Sequence, residues 1–306
     1  MSAWLVSETD GRLQGSPATG PQGPVGKTHA GELTAMIGRI AYPTDLSKEG
    51  QPAFLHALRL ALAAQCTLDV LHAASPGTKE DWGAFPHVRE VLARWGIMDA
   101  AASPVDIPEL AGIEVHKAVI FHPEGPAAGV FSYIARHPTG LIVTAPHEHG
   151  TLSRLTTGSV SQDIALKTHR PTLFLSERMR PFVDAATGAM HLHTVLVPVD
   201  HTPTPARLAE HLGYVFAAFG LAPRLVFVHV GQDLPEVRDS SGETLEVTQL
   251  DGPVIPAILE HADKIEADLL VMPTAGHDGF MDMLRGSTTE RAMRETQIPL
   301  LAVPTS

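Results

Sequence analysis

Short apolar runs alternate with longer amphipathic stretches along most of the chain. Ile40-Ala41-Tyr42-Pro43-Thr44-Asp45 reads as a strand closing on an aspartate, and Val195-Leu196-Val197-Pro198-Val199-Asp200 repeats that form 155 residues later. Each aspartate is followed by apolar positions at helical spacing, over Phe54 to Ala64 and over Leu208 to Phe219. Each helix leads to a second apolar run that reaches a histidine, Leu68 to His72 and Leu225 to His229, 27 and 29 residues beyond the aspartates. Buried-strand runs recur at Leu141-Ile142-Val143 and Leu269-Leu270-Val271. Gly158-Ser159 then opens a segment ending in Pro171-Thr172-Leu173-Phe174-Leu175, and Gly286-Ser287 opens one ending in Pro299-Leu300-Leu301-Ala302-Val303. In both cases the glycine stands 13 residues before the proline. Four anchors in the same order define a tandem duplication.

Each unit alternates strands with helices, which predicts an α/β fold with a parallel sheet covered on both faces. The expected architecture is two tandem doubly wound domains. The aspartate-to-Gly-Ser distance is 113 residues in the first half and 86 in the second. The excess lies around Trp82 to Gly112, where Phe85, Val88, Leu92 and Trp95 form a helical stripe. Gly231 to Gly242 is too short and polar for such a helix, so the second unit is expected to lack its second helix. Residues 1–35 carry five glycines and three prolines between Gly11 and Gly26 and read as an extended arm. The expected boundaries are therefore 1–35 for the arm, 36–176 and 194–306 for the two domains, and 177–193 for a linker.

Composition narrows the function. The chain of 306 residues carries 22 Lys+Arg against 34 Asp+Glu, a formal charge of -12, which argues against a nucleic-acid partner. A single cysteine, Cys66, excludes an internal disulfide and a Cys-rich zinc site. Apolar stretches are broken before the ~20 residues of a membrane helix, and the N-terminus lacks the pattern of a signal peptide. A cytoplasmic protein is the expectation.

The Pro-x-Asp strand ends, the strands ending in histidine, and the Gly-Ser helix openings with Pro171 and Pro299 resemble the universal stress protein family in its tandem form. The resemblance covers residues 36–176 and 192–305. It implies a five-stranded parallel sheet in each domain, similar to adenine-nucleotide-binding α/β folds, and a pseudo-dimer packed through the last strands. It further implies a stress-response regulatory role and, in many members, ATP binding through Gly-x2-Gly-x9-Gly-Ser/Thr. In such a loop glycines let backbone N–H groups approach phosphate, and a helix N-terminus completes the anion site.

The second half carries Gly276-His277-Asp278-Gly279, six residues, then Gly286-Ser287-Thr288. The first carries His147-Glu148-His149-Gly150, seven residues, then Gly158-Ser159, with His147 at the first glycine position. Both spacers are shorter than nine. The second domain is the favoured nucleotide site, with Pro198, Val199 and Asp200 at the adenine end and Gly276, Gly279, Gly286, Ser287 and Thr288 at the phosphates. Thr44, Asp45, Gly150, Gly158 and Ser159 are the first-domain counterparts. A plainer reading makes Asp45 and Asp200 helix caps with Ser47 and Thr202, and Ser159 and Ser287 likewise.

Three further readings stay open. The shortened loops favour an interaction module without nucleotide. A weak Mg²⁺-dependent nucleotide hydrolase would need carboxylates such as Asp200 or Asp278 near the phosphates. A zinc site would use His147 and His149, which project alike from an extended loop, with His72. The sequence contains none of H-E-x-x-H, G-x-S-x-G or G-x-x-x-x-G-K-[ST], so a regulatory protein is favoured over a fast enzyme. A homodimer of tandem chains is a further expectation from the resemblance.

Overall fold

The computed structural model describes residues 37–74, 82–83, 85–145, 168–201, 205, 208–275, 292 and 295–305. In the first half they form β1 (Arg39–Thr44), α1 (Gln51–Ala64), β2 (Thr67–Ala73), α2 (Val88–Arg94), α3 (Ile107–Ala111), β3 (Val115–Ile120), α4 (Pro126–Arg136), β4 (Leu141–Thr144) and β5 (Thr172–Phe174). The second half gives β6 (Thr194–Pro198), α5 (Leu208–Ala218), β7 (Arg224–Val230), β8 (Val237–Arg238), β9 (Thr244–Leu245), β10 (Val247–Leu250), α6 (Val254–Lys264), β11 (Leu269–Ala275) and β12 (Leu300–Thr305).

Ten strands form one sheet in the order β10-β7-β6-β11-β12-β5-β4-β1-β2-β3. Read outward from its centre, each half repeats the same sequence of last, fourth, first, second and third strand. Within each half every pair of this sheet is parallel, and the halves meet where β12 runs antiparallel to β5, with Leu301 opposite Leu173. This is the pseudo-dimer that the resemblance implies, with the two domains fused through one sheet.

Successive strand residues point to opposite faces, and the core follows that alternation. Val195, Val197, Val271 and Val303 share a core with Tyr42, Val70 and Val143 from the first half, and with α1 and α5 on the same face. Leu196, Leu270, Met272 and Ala302 face the other way, onto Ile255, Ile258 and Ala262 of α6. In the first half Ala41, Leu71 and Ile142 meet Val130 and Ile134 of α4. Both faces are thus covered, which is why these strands read as continuous apolar runs.

The middle of each unit differs. In the first, α2 and α3 bring Val88, Val91, Leu92, Ile107 and Ala111 onto the shared core. The expected stripe is helical only from Val88 to Arg94, with Phe85 ahead of it and Trp95 at its C-cap. Between β7 and β10 lies instead the antiparallel pair β8–β9, which buries Val237.

The segment between the domains is a folded strap. Phe182, Val183 and Leu192 are part of the shared core, and Val183 forms a β-bridge to Met190. His56 on α1 is fully buried beneath it. Its Nε2 accepts the backbone N–H groups of Phe182 and Val183, each at 3.2 Å, while its Nδ1 donates to the Pro52 carbonyl at 2.7 Å. On the other side, Arg180 donates to the Ala267 carbonyl at 2.6 Å. The strap therefore ties α1 of one domain to the strand entry of the other.

Candidate functional site

In each half the first strand lies between two neighbours reached by opposite turns of the chain. From β6 the chain passes through α5 to β7 and on to β10, then returns through α6 to β11 on the other side of β6. Because α5 and α6 cover opposite faces, the β6–β11 boundary is a topological switch point, where open α/β sheets form a crevice outside their carboxyl ends. Parallel pairing of Leu269 with Val195 and Leu270 with Leu196 sends both strands out at the same edge. β6 is followed there by Val199 and Asp200, and β11 runs directly into the sequence Gly276-His277-Asp278-Gly279. β1 and β4 make the equivalent boundary in the first half, with Ile40 opposite Leu141.

Among the expected site residues, Pro198 ends β6, Val199 is buried and Asp200 is exposed. Asp200 Oδ1 accepts the His201 N–H at 2.7 Å. In the first half Thr44 Oγ1 accepts the Leu46 N–H, and Asp45 Oδ1 accepts the Ser47 N–H, both at 2.9 Å. Part of each aspartate thus holds its own turn. Leu46, at φ +66°, takes a left-handed conformation in that turn. Gly150, Gly158, Ser159, Gly276, Gly279, Gly286, Ser287, Thr288, His147 and His149 all lie outside the described residues.

The two strand-end histidines play the same part. His72 Nδ1 donates to the Thr44 carbonyl at 3.0 Å, and His229 Nδ1 donates to the Val199 carbonyl at 2.9 Å. Each ring locks the end of the second strand to the residue before the aspartate. A carbonyl only accepts, so the bond fixes the proton on Nδ1 and leaves the lone pair on Nε2. His72 then lies 6.1 Å from the Trp82 ring centroid, edge to face. His229 faces His201, with ring centroids 5.8 Å apart.

His201 stands next to an aspartate and outside any His-x-His or His-x-x-x-His spacing, so no motif marks it. It follows the Pro-x-Asp strand end directly and meets His229 only through the β6–β7 pairing, which sets Pro198 opposite Val228. The first half has Leu46 at that position.

A second polar cluster lies under α4. Asp69 on β2 is fully buried, and both its carboxylate oxygens accept from Arg39, at 2.6 and 2.7 Å. Tyr133 donates to it at 3.1 Å, and His116 lies 3.2 Å away. Burial and then the neighbouring Asp69 charge raise the Tyr133 hydroxyl to about 12. Cys66 is also buried, its thiol raised to about 12 by desolvation, which makes it a poor nucleophile.

Two fused doubly wound units, with a strand-1 aspartate and a strand-2 histidine repeated at the carboxyl edge of each, define a tandem α/β protein. The chain matches the universal stress protein family over residues 36–176 and 232–304, and it belongs to that family. A universal stress protein of Methanocaldococcus jannaschii is 37% identical over 62 residues, a stretch spanning 20% of this chain and 36% of that relative. The crystal structure of a universal stress protein from Archaeoglobus fulgidus superposes with a TM-score of 0.58 at 19% identity, covering 89% of this chain and 98% of that one. A functionally unknown protein from Pseudomonas aeruginosa gives 0.57 at 16%, with 89% and 94% covered. At these identities the superpositions establish the fold. No helix among the described residues is long and apolar enough to cross a membrane.

Proposed function

We propose that the protein is a stress-response regulator of the universal stress type that binds an adenine nucleotide, with ATP the first candidate, in the second-domain crevice. The observation that supports this reading is the β6–β11 switch point, which starts Val199-Asp200 and the Gly276-x-x-Gly279 sequence from adjacent parallel strands at one edge. The adenine and ribose end meets Pro198, Val199 and Asp200. The phosphates meet backbone N–H groups of Gly276 and Gly279 and the helix opening at Gly286, Ser287 and Thr288, with Mg²⁺ accompanying them. With a formal charge of -12, anion binding relies on such local donors rather than on a basic field.

The first-domain set of Thr44, Asp45, Gly150, Gly158 and Ser159 is the weaker site, because His147 replaces the opening glycine. A separate zinc site there would use His147, His149 and His72, the last through Nε2. We place the protein in the cytoplasm, with self-association of tandem chains through the outer strands.

The six-residue spacer after Gly279 favours one second reading, an interaction module without nucleotide. Denaturing the purified protein and assaying the supernatant for adenine nucleotides, together with ATP titration of Gly279→Val, separates the two. Copurified nucleotide and loss of binding in the variant support the first. No binding of ATP or AMP at millimolar concentration leaves the interaction module.

A further inference from the structure

Asp200, His201 and His229 each present a ligand atom within 4.8 Å of the other two. Their imidazoles are prepared in complementary ways. His229 gives its Nδ1–H to the Val199 carbonyl, which leaves Nε2 with its lone pair. His201 gives its Nε2–H to the Asp233 carbonyl at 3.0 Å, which leaves Nδ1 with its lone pair. A backbone carbonyl that holds the opposite ring nitrogen is the arrangement that orients metal-ligating histidines. Gly231 also leaves room at His229, since a Cβ there would stand 2.6 Å from Nε2.

From this geometry we propose that Asp200, His201 and His229 bind one divalent transition-metal ion of the zinc class at the carboxyl end of β6. Two neutral imidazoles and a carboxylate suit a borderline ion, and they disfavour Mg²⁺ and Ca²⁺, which take oxygen ligands. Ligand atoms around a tetrahedral zinc stand about 3.3 Å apart. Rotation of the exposed Asp200 side chain brings its carboxylate onto the two imidazoles, with His201 kept on the Asp233 carbonyl. Three protein ligands leave a fourth position for water or an anionic ligand.

The duplication supplies an internal contrast. The first half keeps the aspartate and the strand-end histidine, Asp45 and His72, but has the buried Leu46 where the second has His201. This site is independent of the nucleotide reading although both use Asp200, so it is tested without nucleotide.

The full-length untagged chain, stripped with chelator and dialysed, is titrated with Zn²⁺ by calorimetry and with Co²⁺ by visible absorption. The expected result is saturable binding of Zn²⁺ at this site, with Co²⁺ giving tetrahedral d–d bands. His201→Leu copies the first-half residue at an exposed position and is expected to weaken the site on the order of 100-fold or more, with Asp200→Asn weakening it about 10-fold. The double variant His147→Ala/His149→Ala is expected to leave this site unchanged. Absence of saturable Zn²⁺ binding below millimolar, or full affinity in both His201→Leu and Asp200→Asn, overturns the proposal. So does loss of all binding in the His147→Ala/His149→Ala variant.

Discussion

His229 Nδ1 lies 2.9 Å from the carbonyl of Val199, and the same bond recurs 155 residues earlier between His72 and Thr44, at 3.0 Å. The histidine therefore acts first as a clasp between the ends of the first two strands, whatever else it binds. Replacing His229 by Phe keeps the ring and leaves the Val199 carbonyl unpaired. The expected loss is about 1–3 kcal/mol, read as a lower urea midpoint at unchanged slope.

The strap over α1 predicts acid sensitivity. Burial holds His56 at about 4 against an ordinary 6.5, because Nε2 already accepts two backbone N–H groups and has no room for a proton. Above 6.5 both folded and unfolded chains carry it neutral, and its contribution is fully present. As pH falls from 6.5 to about 4 only the unfolded chain takes up the proton, so stability drops by about 3 kcal/mol across that window and levels off below it. Urea unfolding at pH 7, 5.5 and 4.5 should show this component missing in His56→Gln.

Asp69 and Arg39 form a pair that the second half does without, having Val226 and Thr194 at the equivalent positions. Asp69→Ala strands the Arg39 guanidinium and is expected to cost about 3–5 kcal/mol. The double variant Arg39→Thr/Asp69→Val adopts the second-half solution and should recover more than half of that loss. A double-mutant cycle on urea midpoints reads the coupling directly.

Gly188 turns the strap at φ +71°, and a Cβ there would stand 2.6 Å from the Trp95 ring. Its carbonyl also accepts from Arg59 at 2.7 Å. Gly188→Ala combines left-handed strain with that clash, so a loss of about 2 kcal/mol is expected. Hydrogen exchange should rise locally at Phe182 and Val183 before it rises in the sheet.

The strands and the duplication were legible because both faces of the sheet are covered, which turns β6, β11 and their counterparts into uninterrupted apolar runs. The Pro-x-Asp ends and the strand-end histidines were legible because they recur at nearly fixed spacing. The strap was not: His56 sits on the apolar side of α1 and gives no periodic signal, and its partners are backbone N–H groups 126 and 127 residues away. The Asp69 cluster was hidden similarly, since a charge within Leu68-Asp69-Val70-Leu71 gives no hint that Arg39 and Tyr133 converge on it. His201 escaped because its partner His229 comes close only through the β6–β7 pairing.

Calorimetric titration of the nucleotide-free chain with ATP and Mg²⁺, beside Asp200→Ala and Asp45→Ala, tests the central claim that the β6–β11 switch point is the ligand site. The tighter of the sites is expected to be saturable and to lie in the second domain, weakened at least about 10-fold by Asp200→Ala and unchanged by Asp45→Ala. Equal binding in the Asp200→Ala variant, or no heat of binding at millimolar ATP, would contradict it.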